Sequence, residues 1–293
     1  MVRRTLLGCC VAVAVSASAG SSNAAHERST QNQGLILYWS DSPHPSIWSI
    51  RPNGTHRRLI LRTGQNAKRP RLAPDRKWVV FDGTPAPKPP LSDFDIQLVR
   101  LNGTGRKTLT STADWDIDAQ WSPGGALLSF SRAPPHPNDP HDFVIWVMRR
   151  DGKDVHPLVD GSTARWSPDG TRLVFSAPTD RSDGDLFVIN VEGTDRRQLT
   201  ATPAREYPAA WSRDGKRILL TRSRPTNTGD VLVMNADGTN VRRLARGLAA
   251  DWSPDGSKIL YTPFFGAPLW VMSADGSHKH RIANIRTFDP SWR

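Results

Sequence analysis

The strongest constraint on this 293-residue chain is a unit that it repeats. The unit is clearest over Trp166 to Thr200. Ser167-Pro168-Asp169-Gly170 has the chemistry of a tight turn, because Pro presets φ at the second position and Gly accepts a positive φ at the last. Leu173-Val174-Phe175 and Leu186-Phe187-Val188-Ile189 are short β-branched or aromatic runs of strand type. A polar segment, Asp180 to Gly184, separates them. Glu192-Gly193 marks a hairpin, and Arg196 to Leu199 supplies an outer strand. With the short strand that ends at Trp166, the unit predicts four antiparallel strands.

Two independent anchors give the same count. Leu72, Trp121, Trp166, Trp211, Trp252 and Trp292 stand before the first turn, at spacings of 49, 45, 45, 41 and 40 residues. Asn53-Gly54, Asn102-Gly103, Asp151-Gly152, Glu192-Gly193, Asp237-Gly238 and Asp275-Gly276 are six hairpin signals, each after an apolar run. The first turn is intact at Ser253 to Gly256 and altered at Ser122 to Gly125 and Ser212 to Gly215. At Ala73-Pro74-Asp75-Arg76 an Arg stands where Gly belongs, and a positive φ there stores about 1 kcal/mol. The N-terminal region of the repeat begins at Gly34 to Tyr38, which matches a second strand, and the chain's end, Pro290 to Arg293, matches a first strand. The prediction is an all-β, six-bladed β-propeller over residues 34–293 with four-stranded antiparallel blades. The N- and C-terminal strands share the last blade, which closes the ring without free edges.

The units 166–200, 211–244 and 252–282 resemble the TolB-type propeller repeat, which is similar in turn to blades of prolyl oligopeptidase and dipeptidyl peptidase relatives. The resemblance spans the propeller and not the α/β domain that precedes it in TolB itself. It implies a periplasmic interaction module. No Gly-x-Ser-x-Gly elbow is present, so the hydrolase domain of the peptidase relatives is missing. No phosphate-cradling Gly-rich loop follows a strand.

Residues 1–24 have the form of a secretory signal: Arg3 and Arg4, an apolar Leu6 to Val15, and Ala17-Ser18-Ala19 as a small-residue cleavage site. Residues 25–33 form a short linker. A secreted or periplasmic protein is expected. Both cysteines, Cys9 and Cys10, lie in the signal, which removes disulfides, Cys-based metal sites and Cys nucleophiles from the mature chain. No later apolar run is long enough to span a bilayer. The net charge of +11 favours an acidic partner, either a protein or an anionic cell-envelope polymer. The basic residues form no block and no nucleic-acid module, so nucleic acid is not an expected partner. A monomer is expected.

In a four-stranded blade the first and third turns share one face of the ring. The long second connections share the other: Asp82 to Asp93, Ala133 to Asp142, Ala177 to Gly184, Ser223 to Gly229 and Pro263 to Ala267. Long loops on a rigid scaffold carry function, which places the site at the loop-rich face and the mouth of the central channel. Arg69, Arg71, Asp118, Gln120, Arg165, Asp251 and Asp289 lie just before the anchors and are the candidate binding residues there. The anchor tryptophans read as packing between blades, and Trp115 as the best exposed aromatic.

Asp114, Asp116 and Asp118 alternate, so an extended strand puts them on one face, where clustered carboxylates suit Ca²⁺. His136, Asp139, His141 and Asp142 are a candidate Zn²⁺ group. Asp95, Asp185 and Asp230 each precede a third strand, a recurrence that suggests a structural hydrogen bond. The expectation is a non-catalytic binding module without a cofactor. The alternative is a metal-dependent hydrolase or lyase, lactonase-like, at the channel mouth.

Overall fold

A computed structural model describes residues 34–41, 44–62, 66–84, 94–225 and 228–293. The expected signal (1–24) and linker (25–33) lie outside the described residues.

The described chain forms six four-stranded antiparallel sheets. Blade 1 orders its strands Phe288–Trp292, Ile36–Ser40, Ser46–Ile50 and Arg58–Arg62, from the channel outward. The other five take their strands in chain order. Their inner strands are Ala67–Leu72, Trp115–Trp121, Ser162–Trp166, Glu206–Trp211 and Leu248–Trp252, for blades 2 to 6. The C-terminal strand closes the ring on the N-terminal one, with Ile36 opposite Trp292 and Leu37 opposite Ser291.

The apolar runs are continuous rather than alternating because each blade is buried on both faces. In blade 4, Leu173 and Phe175 pack toward blade 3, while Val174 packs toward blade 5. The six clusters of buried apolar residues sit one at each seam between blades. The anchor tryptophans belong to them. Trp121, Trp166, Trp211, Trp252 and Trp292 are all less than one-tenth exposed. Three of them also stitch the seams, because the indole Nε1 donates to the backbone of the preceding blade. Trp121 reaches the Arg71 carbonyl (3.1 Å), Trp166 the Gln120 carbonyl (3.3 Å) and Trp211 the Arg165 carbonyl (3.1 Å). Each acceptor is the residue just before the preceding anchor.

The tight turns repeat atom for atom. In Ser167 to Gly170 the Gly170 N–H donates to the Ser167 carbonyl, and the Asp169 carboxylate accepts from the Ser167 hydroxyl and the Thr171 N–H. Ser212 to Gly215 and Ser253 to Gly256 do the same. Arg76 does take a positive φ, 56°, and the Ala73 carbonyl accepts its N–H.

One expected loop is mostly strand. The segment Ala177 to Gly184 lies largely in Arg172–Thr179 and Ser182–Asn190, joined by a turn at Asp180-Arg181. Thr179 pairs with Ser182, so the polar composition reflects a solvated hairpin end rather than irregular chain. Residues 85–93 of the first long connection and 226–227 of the fourth lie outside the described residues.

Candidate functional site: the central channel

The inner strands do more than line the channel. Each carries a register shift near its middle, seen at Lys68/Arg71, Ile117/Gln120, Ser162/Arg165, Pro208/Ala210 and Ala249/Asp251, and opposite Leu37/Trp39 in blade 1. These are β-bulges, which re-aim side chains and bend the strand. In blades 1 to 4 the residue three before the anchor sits on the bulge, and in blades 5 and 6 this residue pairs just before the bulge. In four blades it is a non-glycine in the left-handed region: Arg69 (φ 50°), Asp118 (55°), Thr163 (60°) and Asp289 (44°). A left-handed non-glycine costs about 1–2 kcal/mol.

The bulges open two cavities, one at each end of the channel. The loop-face cavity measures about 590 Å³ and takes Arg69, Arg71, Asp118, Thr163, Arg165 and Asp289 into its wall. The tight-turn cavity measures about 350 Å³ and takes Arg71, Gln120, Arg165 and Asp251. The seven sequence candidates therefore divide. Arg69, Asp118 and Asp289 face the loop end, Gln120 and Asp251 face the opposite end, and the long Arg71 and Arg165 reach both. The inner strand runs from the loop face to the tight-turn face, so a residue one before the anchor lies too deep for the loop mouth. Gln120 and Asp251 are corrected accordingly.

The charged side chains of the waist are tied together. Asp118 accepts from Arg165 at 2.8 Å and lies 3.8 Å from Arg71. Arg165 also donates to the Ala209 carbonyl (2.9 Å) and Arg71 to the Asp289 carbonyl (3.0 Å), so the two guanidinium groups reach toward opposite sides of the ring. Burial opposes the charge of Asp118, but Arg165, Arg71 and Arg69 outweigh it and hold the carboxyl below its usual range. Burial and the nearby Arg165 pull Arg71 down.

Above the waist, Arg69 pairs with Asp82 at 2.7 Å, and Asp82 accepts from the Asp118 N–H. Burial is the dominant influence on Asp82 and pushes it up to about 6 against the pull of Arg69. Burial, then Arg69, lowers Lys68. Burial raises Asp251, whose carboxylate accepts the backbone N–H groups of Trp252 and Trp292.

An aromatic arc borders this charged cluster. Trp39 stacks on Phe288 at 4.3 Å and donates to Asp289 at 2.9 Å, and Phe265 lies 4.8 Å from Phe288. Lys68 bridges the Trp39 and Phe94 rings, and Phe94 meets Trp115 edge-on at 5.3 Å. Trp115 continues to His136, and it is partly buried. The arc ends at Phe264 and Phe265, which are 52% and 56% exposed.

The candidate metal groups take other partners. Asp116 binds Arg132 through both carboxylate oxygens (2.6 and 2.8 Å), directly across the sheet. Asp118 faces the channel, and Asp114 lies before the strand begins. The bulge after Ile117 is what breaks the expected common face. Asp139 and Asp142 cap a short 3₁₀ turn at Pro140–Asp142. Among the described residues no three His, Cys, Asp or Glu side chains are grouped to hold a metal ion. The recurring aspartates before the third strands are structural. Asp95 accepts from Thr110, Asp185 from Thr179, Gln198 and Thr202, and Asp230 from Arg224 and Arg243.

Sequence reading missed Asp82, Thr163 and the Phe288–Trp39 pair. Thr163 shares its place in the repeat with Arg69, Asp118 and Asp289, so aligning the repeats at three before the anchor finds it. Asp82 and Trp39 carry no such signal, because they reach the mouth from second strands.

Known proteins share this architecture. Residues 159–264 match the family described as the TolB beta propeller domain. No curated protein matches the chain in sequence. Among solved structures, TolB from Acinetobacter baumannii superposes with a TM-score of 0.74 at 19% identity, over 93% of this chain and 70% of that one. A putative TolB from Agrobacterium tumefaciens gives 0.66 at 19%, over 87% and 90%. An oligogalacturonate lyase in complex with manganese gives 0.59 at 12%, over 87% and 75%. No helix among the described residues is long and apolar enough to cross a membrane. The chain is thus a six-bladed propeller, and its residues 159–264 match the TolB beta propeller domain.

Proposed function

We propose that the chain is a secreted or periplasmic, non-catalytic binding module. It holds a polar, charged segment of a protein partner at the loop-rich mouth of the channel. The carrying observation is the strained bulge. Blade 5 closes with Pro208 at the equivalent position, where the ring fixes φ near −65°. Ring closure therefore does not require the left-handed geometry of Arg69, Asp118, Thr163 and Asp289. Strain of this kind concentrates at functional sites. Here it directs Arg69, Asp118 and Asp289 into a cavity with Arg71 and Arg165.

Crosslinked capture from an envelope extract tests the reading. Asp118→Asn and Arg165→Gln should each lose the captured protein, while wild type retains it. Capture that survives both substitutions sinks the proposal. Metal analysis and melting with and without EDTA address the alternative. A stoichiometric divalent ion, with a large loss of Tm on chelation, would redirect attention to a metal-dependent hydrolase or lyase.

A further inference from the structure

The +11 charge shows no pattern along the sequence, yet the fold sorts it by face. Five blades send two tight turns to the face opposite the loops, and blade 1, closed by the C-terminal strand, sends one. The exposed charges there are mostly Arg and Lys, among them Lys77, Arg100, Lys153, Arg197, Lys216 and Lys258. Exposed acids are present too, namely Asp75, Asp151, Asp154, Asp169, Glu192, Asp195, Asp214, Asp237, Asp255 and Asp275, but the exposed Arg and Lys outnumber them. On the loop face the exposed Arg62, Arg181, Arg246 and Arg286 are balanced by Asp41, Asp139, Asp160, Asp180 and Asp183. The excess positive charge therefore belongs to the tight-turn face.

That face has little else to offer a partner. Val155 and Val241 are its exposed large apolar residues, whereas Phe264 and Phe265 stand on the loop face. A protein interface needs a desolvated core with aromatic anchors, and this surface has none among the described residues. Its turns share one length and one hydrogen-bond pattern, so basic positions recur around the ring. A basic, hydrophilic ring of this kind complements an anionic surface that several blades can engage at once.

We propose that the tight-turn face docks peripherally on an anionic phospholipid bilayer, leaving the loop-rich mouth turned away from it. The attraction is Coulombic and adds over many weak contacts. Each Lys or Arg near an anionic bilayer contributes about fivefold in affinity.

Vesicle co-sedimentation of the full chain tests this directly. Vesicles rich in phosphatidylglycerol should bind the protein at low ionic strength, and pure phosphatidylcholine vesicles should not. Binding should vanish at about 1 M salt, where the Debye length falls to about 3 Å. The combined variant Lys77→Glu, Lys153→Glu, Lys216→Glu and Lys258→Glu should lose at least about a hundredfold in affinity. None of these side chains forms a hydrogen bond or ion pair among the described residues, and unchanged melting will show that the variant folds. Arg181→Glu with Arg286→Glu, on the loop face, should bind as wild type does. The proposal is overturned by no binding to the anionic vesicles, by equal loss in both variants, or by binding to soluble polyphosphate without binding to vesicles.

Discussion

The two faces of the ring are made from the same repeat and obey different rules. On the tight-turn face, Ser167, Ser212 and Ser253 form the same hydrogen bonds, with a hydroxyl on the turn aspartate and that aspartate on the next N–H. On the loop face the described connections differ from blade to blade. One contributes a 3₁₀ turn at Pro140–Asp142, another a hairpin at Asp180-Arg181, another the exposed Phe264-Phe265. Residues that recur build the ring, and residues that depart from the repeat shape the cavity. Substitutions should therefore cost stability on one side of this divide and recognition on the other.

The largest expected effect breaks the ring. Deleting residues 288–293 removes the strand paired with Ile36–Ser40 and the buried Phe288 and Trp292. A loss of about 5 kcal/mol or more should lower Tm by over about 10 °C. A melt within a few degrees of wild type would refute the shared blade. Next, Trp166→Ala and Trp211→Ala each remove a seam residue and its stitch to the preceding blade. Each should lose about 3–5 kcal/mol in denaturant unfolding. Trp115→Ala, on the irregular face and partly buried, should lose clearly less. Equal losses would erase the distinction between the faces.

The third test uses pH, and Asp82 and Asp169 should respond with opposite sign. Asp82 keeps its proton up to about pH 6 in the folded protein, mainly through burial, whereas the unfolded carboxyl releases it near 3.9. The folded state thus binds more protons between about pH 4 and 6, and stability falls as pH rises through that window, by a few kcal/mol at most. Asp82→Asn should flatten this limb of a Tm-against-pH curve. Asp169 on the tight-turn face is lowered to about 2, first by the Ser167 hydroxyl. Its contribution is present above about pH 4 and is lost as pH falls toward 2. The smallest effect repairs the repeat. Arg76→Gly relieves a left-handed arginine and should raise stability by about 1 kcal/mol, measured as a small rise in Tm.

The ring itself was legible before any coordinates, because its determinants are local. Turn residues announce themselves by φ, and Trp121 through Trp292 mark one position per blade. The shared closing blade followed from strand types at the two ends. The site was legible only in part. Strict alternation predicts Asp114, Asp116 and Asp118 on one face, but the bulge after Ile117 adds a residue and turns Asp118 into the channel. A bulge has no obligate residue here: Arg69, Asp118, Thr163 and Asp289 occupy the same place with different chemistry. Asp82 and Arg69 meet only because neighbouring strands of one blade pair. The sorting of charge was hidden for a related reason. Lys77 and Lys216 are far apart in sequence and equivalent in the repeat, and Lys258 stands one position further along the same turn, so they come together only when counted by blade.

The stitch between blades carries one more consequence. Trp121, Trp166 and Trp211 grip the carbonyls of Arg71, Gln120 and Arg165, the same residues whose side chains enter the channel. A carbonyl is common to every amino acid. The seam is thus indifferent to which side chain the channel displays, and mutation can rewrite the interior of the pore one position at a time while the ring stays shut. Selection for a new ligand need not pass through an unfolded intermediate sequence.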